Sequence, residues 1–137
     1  MELAFPIEFL VAGIPVSAGA TRPKSRTEWK ARVKAASTVV LPDGHWASKG
    51  RMAVTLYYFP TAPMQGDVDN IIKLVLDALS RHIYVDDSQV ERIVVQKFEP
   101  GNGFGFRSPS TTLGEALDRE EPVLYVRVSD DPLEDLK

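Results

Sequence analysis

Apolar residues along this chain fall into short runs separated by proline, glycine and polar residues. Four runs, at residues 7–11, 52–59, 90–98 and 123–128, are rich in the β-branched and aromatic residues that strands favour. Each run therefore predicts a β-strand. The third is expected to pair beside the second, because the helix predicted between them is short enough for the chain to fold back.

Two further segments carry apolar residues at helical spacing. In residues 27–40 the apolar positions recur every three or four residues, and the basic residues between them predict an amphipathic helix with a basic face. Residues 70–79 predict a second, mostly buried helix with Asp69 as its N-cap. The only polar edge of this second helix consists of Asn70, Lys73 and Asp77.

The order of these elements predicts an α/β (α+β) fold in which helices flank a mixed sheet. A chain of 137 residues supports one core, so we expect a single domain over residues 1–137. Residues 100–109 are expected to form a mobile hairpin loop, and residues 111–122 a short helical turn. The acidic residues 130–135 are expected to form a frayed, solvated tail.

The formal net charge of −3 at first argues against a nucleic-acid partner. However, residues 1–51 contain eight Lys and Arg against four Asp and Glu, so the positive charge is concentrated at one end of the chain. This concentration predicts contacts with DNA phosphates. The basic residues expected to make them are Arg22, Lys24, Arg26, Lys30, Arg32 and Lys34.

Other classes of protein are disfavoured by what the sequence lacks. It contains no cysteine, which excludes a disulfide framework and a thiol nucleophile. No apolar run reaches the roughly 18 residues of a membrane helix, and the first residues lack the pattern of a signal peptide. We therefore expect a cytoplasmic protein with no membrane partner.

Four carboxylates bracket the second predicted helix, with Asp67 and Asp69 before it and Asp86 and Asp87 beyond it. Carboxylates brought into one small volume repel each other, so such a cluster usually requires a cation. With no cysteine and only two histidines in the chain, the available ligands are oxygens, which favours Mg²⁺ over zinc or iron. A bound metal would also cancel part of the acidic charge that argued against DNA.

The spacing of these residues resembles that of the RusA family of Holliday junction resolvases, which are endodeoxyribonucleases of phages and prophages. The resemblance is specific over residues 66–90 and only architectural elsewhere. The residues that carry it read Asp67-x-Asp69-Asn70-x-x-Lys73-x-x-x-Asp77-Ala78-Leu79, followed by Asp86-Asp87-x-Gln89.

The resemblance implies a RusA-like mixed α/β homodimer that binds branched DNA, in particular four-way junctions. It further implies symmetric nicking of two opposing strands in DNA recombination and repair, with Mg²⁺ as cofactor and Mn²⁺ able to replace it. It gives the metal and catalytic role to Asp67, Asp69 and Asp87. Lys73 takes the role of a catalytic lysine that contacts the scissile phosphate or helps to orient the attacking water.

The remaining polar residues of the motif leave alternatives open. Asp86 is a further candidate metal ligand, an outer acid or the partner of a basic residue. Asn70 and Asp77 are expected to orient the metal ligands by hydrogen bonding. Lys73 and Asp77 also have the spacing of an ordinary helix salt bridge. As an alternative to a nuclease, the chain could be a module of the same fold that binds branched DNA without cutting it.

Overall fold

The computed structural model describes residues 1–136, which form a four-stranded mixed sheet with helices against both faces. The sheet has the order β1-β4-β2-β3. Strand β4 is antiparallel to β1 and β2, whereas β2 and β3 are parallel. The predicted α+β class and the pairing of the second and third strands are confirmed. The strands are β1 (Ile7–Ala12), β2 (Met52–Phe59), β3 (Val90–Lys97) and β4 (Val123–Ser129).

Three α-helices and two 3₁₀ turns connect the strands. The helices are α1 (Pro23–Val40), α2 (Ile72–Leu79) and α3 (Thr111–Leu117). The first 3₁₀ turn (Val68–Ile71) leads directly into α2, and the second (Asp87–Gln89) leads directly into β3. Both turns therefore lie in the segment that the sequence marks as functional.

The main core lies between α1, α2 and one face of the sheet. Val54 and Leu56 of β2 are completely buried there, together with Val33 of α1 and Val75 of α2. Full burial of a side chain of this size contributes about 1.5–3 kcal/mol. The helix that carries the motif is therefore held against the sheet by its apolar residues, and this packing leaves its polar edge in solvent.

A smaller aromatic core covers the opposite face, where α3 and residues 98–106 pack on the sheet. Phe98 stacks on Phe59 with ring centroids 5.0 Å apart, and Phe106 lies 5.2 Å from Phe98. The prediction of a hairpin loop at residues 100–109 is wrong. In the sheet β2 lies between β3 and β4, so the strands before and after this loop are not neighbours, and the chain passes through α3 between them.

The first helix begins four residues earlier than the sequence pattern predicts, at Pro23 and not at Thr27. Proline suits the first position of a helix, because its fixed φ is helical and its missing N–H would have no partner there. The Thr27 hydroxyl donates to the carbonyl of Pro23 at 3.1 Å, one turn back. The predicted end at Val40 is confirmed.

The prediction of a frayed tail at residues 130–135 is also wrong. The Arg127 guanidinium donates to both carboxylate oxygens of Glu134, and Arg92 pairs with Asp135 at 2.7 Å. The pairing raises the pKa of Arg127 and lowers that of Glu134. Arg92 and Arg127 stand on the sheet with less than a third of their side-chain surface exposed, so the acidic segment supplies counter-ions where water alone would solvate them poorly.

Candidate metal and nucleic-acid site

The loop that follows β2 carries the first two predicted metal ligands. Gly66 has φ +82°, a conformation that L side chains rarely adopt, and this turn directs the chain into Asp67. The carbonyl of Asp67 accepts from the backbone N–H of Asn70 at 3.0 Å, which starts the first 3₁₀ turn. The predicted N-cap role of Asp69 is wrong, because Asp69 lies inside this turn and α2 begins only at Ile72.

This local geometry leaves two carboxylates without a protein partner. Asp67 occupies the cap position of the turn, but its side chain makes no capping hydrogen bond. Within residues 1–136, neither Asp67 nor Asp69 forms a side-chain hydrogen bond or an ion pair, and both are exposed. Two adjacent free carboxylates at one turn are available to a cation from solution.

The second acidic pair lies at the turn that precedes β3, where its two members have different surroundings. Asp86 accepts a hydrogen bond from the backbone N–H of Ser88 at 3.0 Å, and hydrogen bonding with Ser88 lowers the pKa of Asp86. Its carboxylate therefore caps the turn, a role that is not among the three that the sequence left open. One carboxylate oxygen of Asp87 instead accepts a hydrogen bond from Lys73 of α2.

Gln89 holds this turn in place through four hydrogen bonds. Its Oε1 accepts from the backbone N–H groups of Val85 and Asp86 at 2.8 and 2.9 Å. Its Nε2 donates to the carbonyls of Ser48 and Gly50 at 2.9 and 2.7 Å. The sequence analysis gave Gln89 no role, although an Asp followed three residues later by Gln is the signature of a capping box. Gln89 thus positions the turn that begins with Asp87.

Lys73 links α2 to the second turn. Its Nζ lies 2.9 Å from Oδ1 of Asp77 and 3.3 Å from Oδ2 of Asp87. The helix salt bridge weighed from the sequence is therefore present, and so is a contact to the predicted metal ligand. Hydrogen bonds to Asp77 and then Asp87 raise the pKa of Lys73, so its ammonium stays charged at neutral pH. Asp77 orients this lysine, whereas no described contact joins it to a metal ligand.

Tyr84 lies beneath these acids and was missed by the sequence analysis. It is completely buried, and its hydroxyl donates to the carbonyl of Leu76 at 2.8 Å. Burial is the main cause that raises the pKa of Tyr84, and the negative charges of Asp87, Asp77 and Asp86 raise it further. The tyrosine therefore stays neutral and fixes the end of α2 close to three carboxylates. An isolated Tyr in a short apolar run gives no signal of this role.

The predicted metal ligands are brought together only in part. Among residues 1–136, no three carboxylate or imidazole side chains converge closely enough to hold an ion. The donor chemistry nevertheless fits Mg²⁺, because Asp67 and Asp69 are free and only one oxygen of Asp87 is engaged by Lys73. The residues present fit a divalent ion by ligand type, and Asp87 contacts Lys73 in this structure.

The prediction that the basic residues of α1 form one face is wrong. Successive residues of a helix are about 100° apart, so Lys30 and Lys34 share one side while Arg32 projects from the other. Arg32 donates to the carbonyl of Ala12 at 3.1 Å, and Arg26 donates to the carbonyl of Ala20. The basic residues lie off the apolar stripe of α1, as the periodicity predicts, but they lie on both sides of that stripe.

The other basic residues predicted to bind DNA differ in how free they are. Lys24 is 3.8 Å from Glu28 in an exposed pair that is worth little. The side chains of Arg22, Lys30 and Lys34 make no hydrogen bond or ion pair within the part of the chain that the structure describes. These three remain the best candidates for phosphate contacts, and the DNA-binding set as a whole stays a prediction.

Comparison with known proteins identifies a family over most of the chain. A family model described as endodeoxyribonuclease RusA matches residues 15–104. The match includes α1, both 3₁₀ turns, α2 and the carboxylates around them. No curated protein matches the chain. Among residues 1–136, no helix is long and apolar enough to cross a membrane.

Proposed function

Because the chain belongs to the endodeoxyribonuclease RusA family, we propose that it resolves four-way (Holliday) DNA junctions by paired, symmetric, metal-dependent nicks in recombination and repair. The observation that carries the proposal is the contact between Lys73 Nζ and Asp87 Oδ2, with the free carboxylates of Asp69 and Asp67 four and six residues before Lys73 in the chain. Carboxylates for a cation and an ammonium for a phosphate are the groups that phosphodiester cleavage needs.

Asp67, Asp69 and Asp87 would hold the Mg²⁺ ion, and Mn²⁺ would replace it because it also prefers oxygen ligands. Such an ion supplies Lewis-acid stabilisation of the negative charge that develops on the phosphoryl oxygens. Asp86 is the weakest candidate ligand, since its carboxylate caps the second turn. Asn70 lies exposed between Asp69 and α2, where its amide can orient a neighbouring carboxylate.

Lys73 binds and orients the scissile phosphate in this proposal. Its side chain is 60% exposed, so the ammonium is accessible to a DNA strand. Asp77, one turn further along α2, holds the ammonium at 2.9 Å on the same side as Asp87. When Asp87 turns to a cation, Asp77 still fixes the position of Lys73, and one donor of Lys73 becomes free for a phosphate oxygen.

Two copies of the chain are needed for paired nicks. A four-way junction has two equivalent strands related by a two-fold axis, and each chain carries one set of acids. A homodimer with two-fold symmetry would present two such sets to opposing strands. We place this dimer in the cytoplasm.

A second candidate is a module that binds branched DNA without cutting it. The observation that favours it is again Lys73, whose ammonium already pairs with Asp77 and Asp87 without a metal. In such a protein the acids would stabilise the turn before β3, and the basic residues would bind the DNA phosphates.

Cleavage assays separate the two candidates. Labelled four-way junction, linear duplex and single strand are incubated with purified protein in Mg²⁺, in Mn²⁺ and in EDTA, and binding is measured in parallel. We expect junction-selective, symmetric cuts in either metal and none in EDTA. Binding of the junction without cuts in either metal would support the binding module. Absence of both binding and cutting would refute both candidates.

A further inference from the structure

An apolar cavity of about 360 Å³ opens at the end of the sheet from which Asp67 departs. The loop after β1, the loop after β2 and the residue before β4 form its walls. This volume falls in the range of small-molecule sites. The lining residues are Ile14, Pro15, Tyr58, Pro60, Thr61, Ala62, Pro63, Met64, Gln65 and Pro122.

The walls of this cavity are held in place before any ligand arrives. Four of its lining residues are prolines, whose fixed φ limits the motion of both loops. The carboxylate of Glu99 accepts from the backbone N–H of Met64 at 2.6 Å, and this hydrogen bond lowers the pKa of Glu99. Lys97 lies 3.4 Å from the same carboxylate. A pre-formed cavity spares its ligand the cost of ordering the loops.

One polar group of the cavity has no hydrogen-bond partner within residues 1–136. Tyr58 is only 2% exposed, and its hydroxyl forms no hydrogen bond with any residue from 1 to 136. Burial raises its pKa, so the hydroxyl remains neutral and able to donate. Because it has no partner within the described part of the chain, this hydroxyl is available to a ligand with a polar edge.

The cavity lies close to the candidate metal site along the chain. Gln65 lines it and lies two residues before Asp67, so their Cα atoms are at most about 7.6 Å apart. Lys97 is the strand neighbour of Tyr58, and its side chain, which is 39% exposed, pairs with Glu99 at the same end of the sheet. These features of the cavity fit a ligand with an apolar body, a polar edge and an attached anion.

We propose that this cavity receives one unstacked nucleobase of the DNA strand whose phosphate lies at Asp67 and Asp69. The inference rests on the proposed function. The prolines and Met64 contact the faces of the base, Tyr58 donates a hydrogen bond to its edge, and Lys97 attracts the adjoining phosphate. Bases at the centre of a branched junction are the least costly to unstack, so the cavity would favour branched over linear DNA.

The test uses junctions with 2-aminopurine, a fluorescent base whose emission rises when it leaves the stack, at each position flanking the cut. Wild-type protein is added in EDTA, so that the measurement does not depend on cleavage. We expect a rise in emission at one position next to the cut. An abasic nucleotide at that position is expected to weaken binding about fivefold or more. No rise at any position would overturn the proposal.

Three variants assign the signal to the cavity. Ala62→Trp places a large ring at the cavity wall and should abolish the rise, whereas Val39→Trp adds the same ring at an 85% exposed position outside the cavity and should not. Tyr58→Phe removes only the hydroxyl and should keep the rise but reduce discrimination among the four bases. A full rise in Ala62→Trp, or a change in its oligomeric state that identifies the cavity as a subunit contact, would refute the proposal.

Cleavage of the same junctions in Mg²⁺ is measured separately. A rise in 2-aminopurine emission that Ala62→Trp abolishes, without cuts in Mg²⁺, would support the nucleobase cavity and refute the nuclease. Cuts without such a rise in emission would support the nuclease and refute the nucleobase cavity. The two proposals therefore fail on different measurements.

Discussion

Substitution of Gln89 tests whether one side chain positions the acidic turn before β3. Gln89→Leu keeps the approximate size of the side chain and removes four hydrogen bonds of 2.7 to 2.9 Å. A net contribution of about 1 kcal/mol each would total about 4 kcal/mol. Three of the four bonds are exposed, so water replaces part of this contribution. We therefore expect a loss of about 2 kcal/mol in the free energy of unfolding.

Urea and thermal denaturation, followed by the fluorescence of buried Trp29, measure this loss. For a chain of this size about 2 kcal/mol corresponds to roughly 6 °C in Tm. Gln96→Leu is the matched control, since Gln96 lies exposed on β3 and its side chain makes no hydrogen bond within residues 1–136. The control should change stability by less than about 0.5 kcal/mol.

A second measurement separates positioning from stability alone. If Gln89 fixes the turn that carries Asp87, the Mg²⁺ concentration for half-maximal junction cleavage should rise about tenfold in Gln89→Leu. It should not change in Gln96→Leu. Equal stability of the two variants would refute the role of Gln89 as a clamp. A stability loss with an unchanged Mg²⁺ requirement would refute its role in positioning Asp87.

Three further predictions concern the acids, the lysine and a buried histidine. Asp69→Asn should abolish cleavage while gel-shift binding of the junction persists; retained cleavage would remove Asp69 from the site. Lys73→Met should slow cleavage about 100-fold but change the unfolding free energy by less than about 1 kcal/mol, because its ion pairs are exposed; a stability loss without a cleavage defect would show that Lys73 is only structural. His82 is buried against Ser37 at 2.8 Å, and burial, His45 and Lys34 lower its pKa below 6.5. An imidazole with a depressed pKa contributes stability at neutral pH that is lost as pH falls through the folded pKa, so the free energy of unfolding of the wild type should decrease below about pH 6.5, and this decrease should be smaller in His82→Asn.

The sequence predicted the secondary structure best where burial enforces a strict pattern. All four strands were placed to within one residue at either end, and the predicted pairing of the strand from Val90 with that ending at Phe59 is present. The apolar residues of the second helix are buried as predicted, except Ile72, which is partly exposed. These features depend on local periodicity, which the chain carries by itself.

The errors lie where distant partners decide the outcome. Whether residues 130–135 dock depends on Arg92 and Arg127, whose positions on the sheet follow from strand order. The hairpin prediction failed because β3 and β4 follow each other along the chain but are separated by β2 in the sheet. The basic face of α1 is a different case, because the helical spacing of about 100° per residue by itself places Arg32 and Lys34 on opposite sides of the helix.

The sequence alone determined the ligand chemistry: oxygen donors, a lysine at helical spacing from one of them, and the family to which this spacing belongs. Only the tertiary structure determined the state of each group. It leaves Asp67 and Asp69 free, engages Asp86 as a cap, pairs Asp87 with Lys73 and places Gln89 behind the turn. The physical reason is that residue types specify which interactions are possible, whereas the distances that select among them are set by how strands and helices pack.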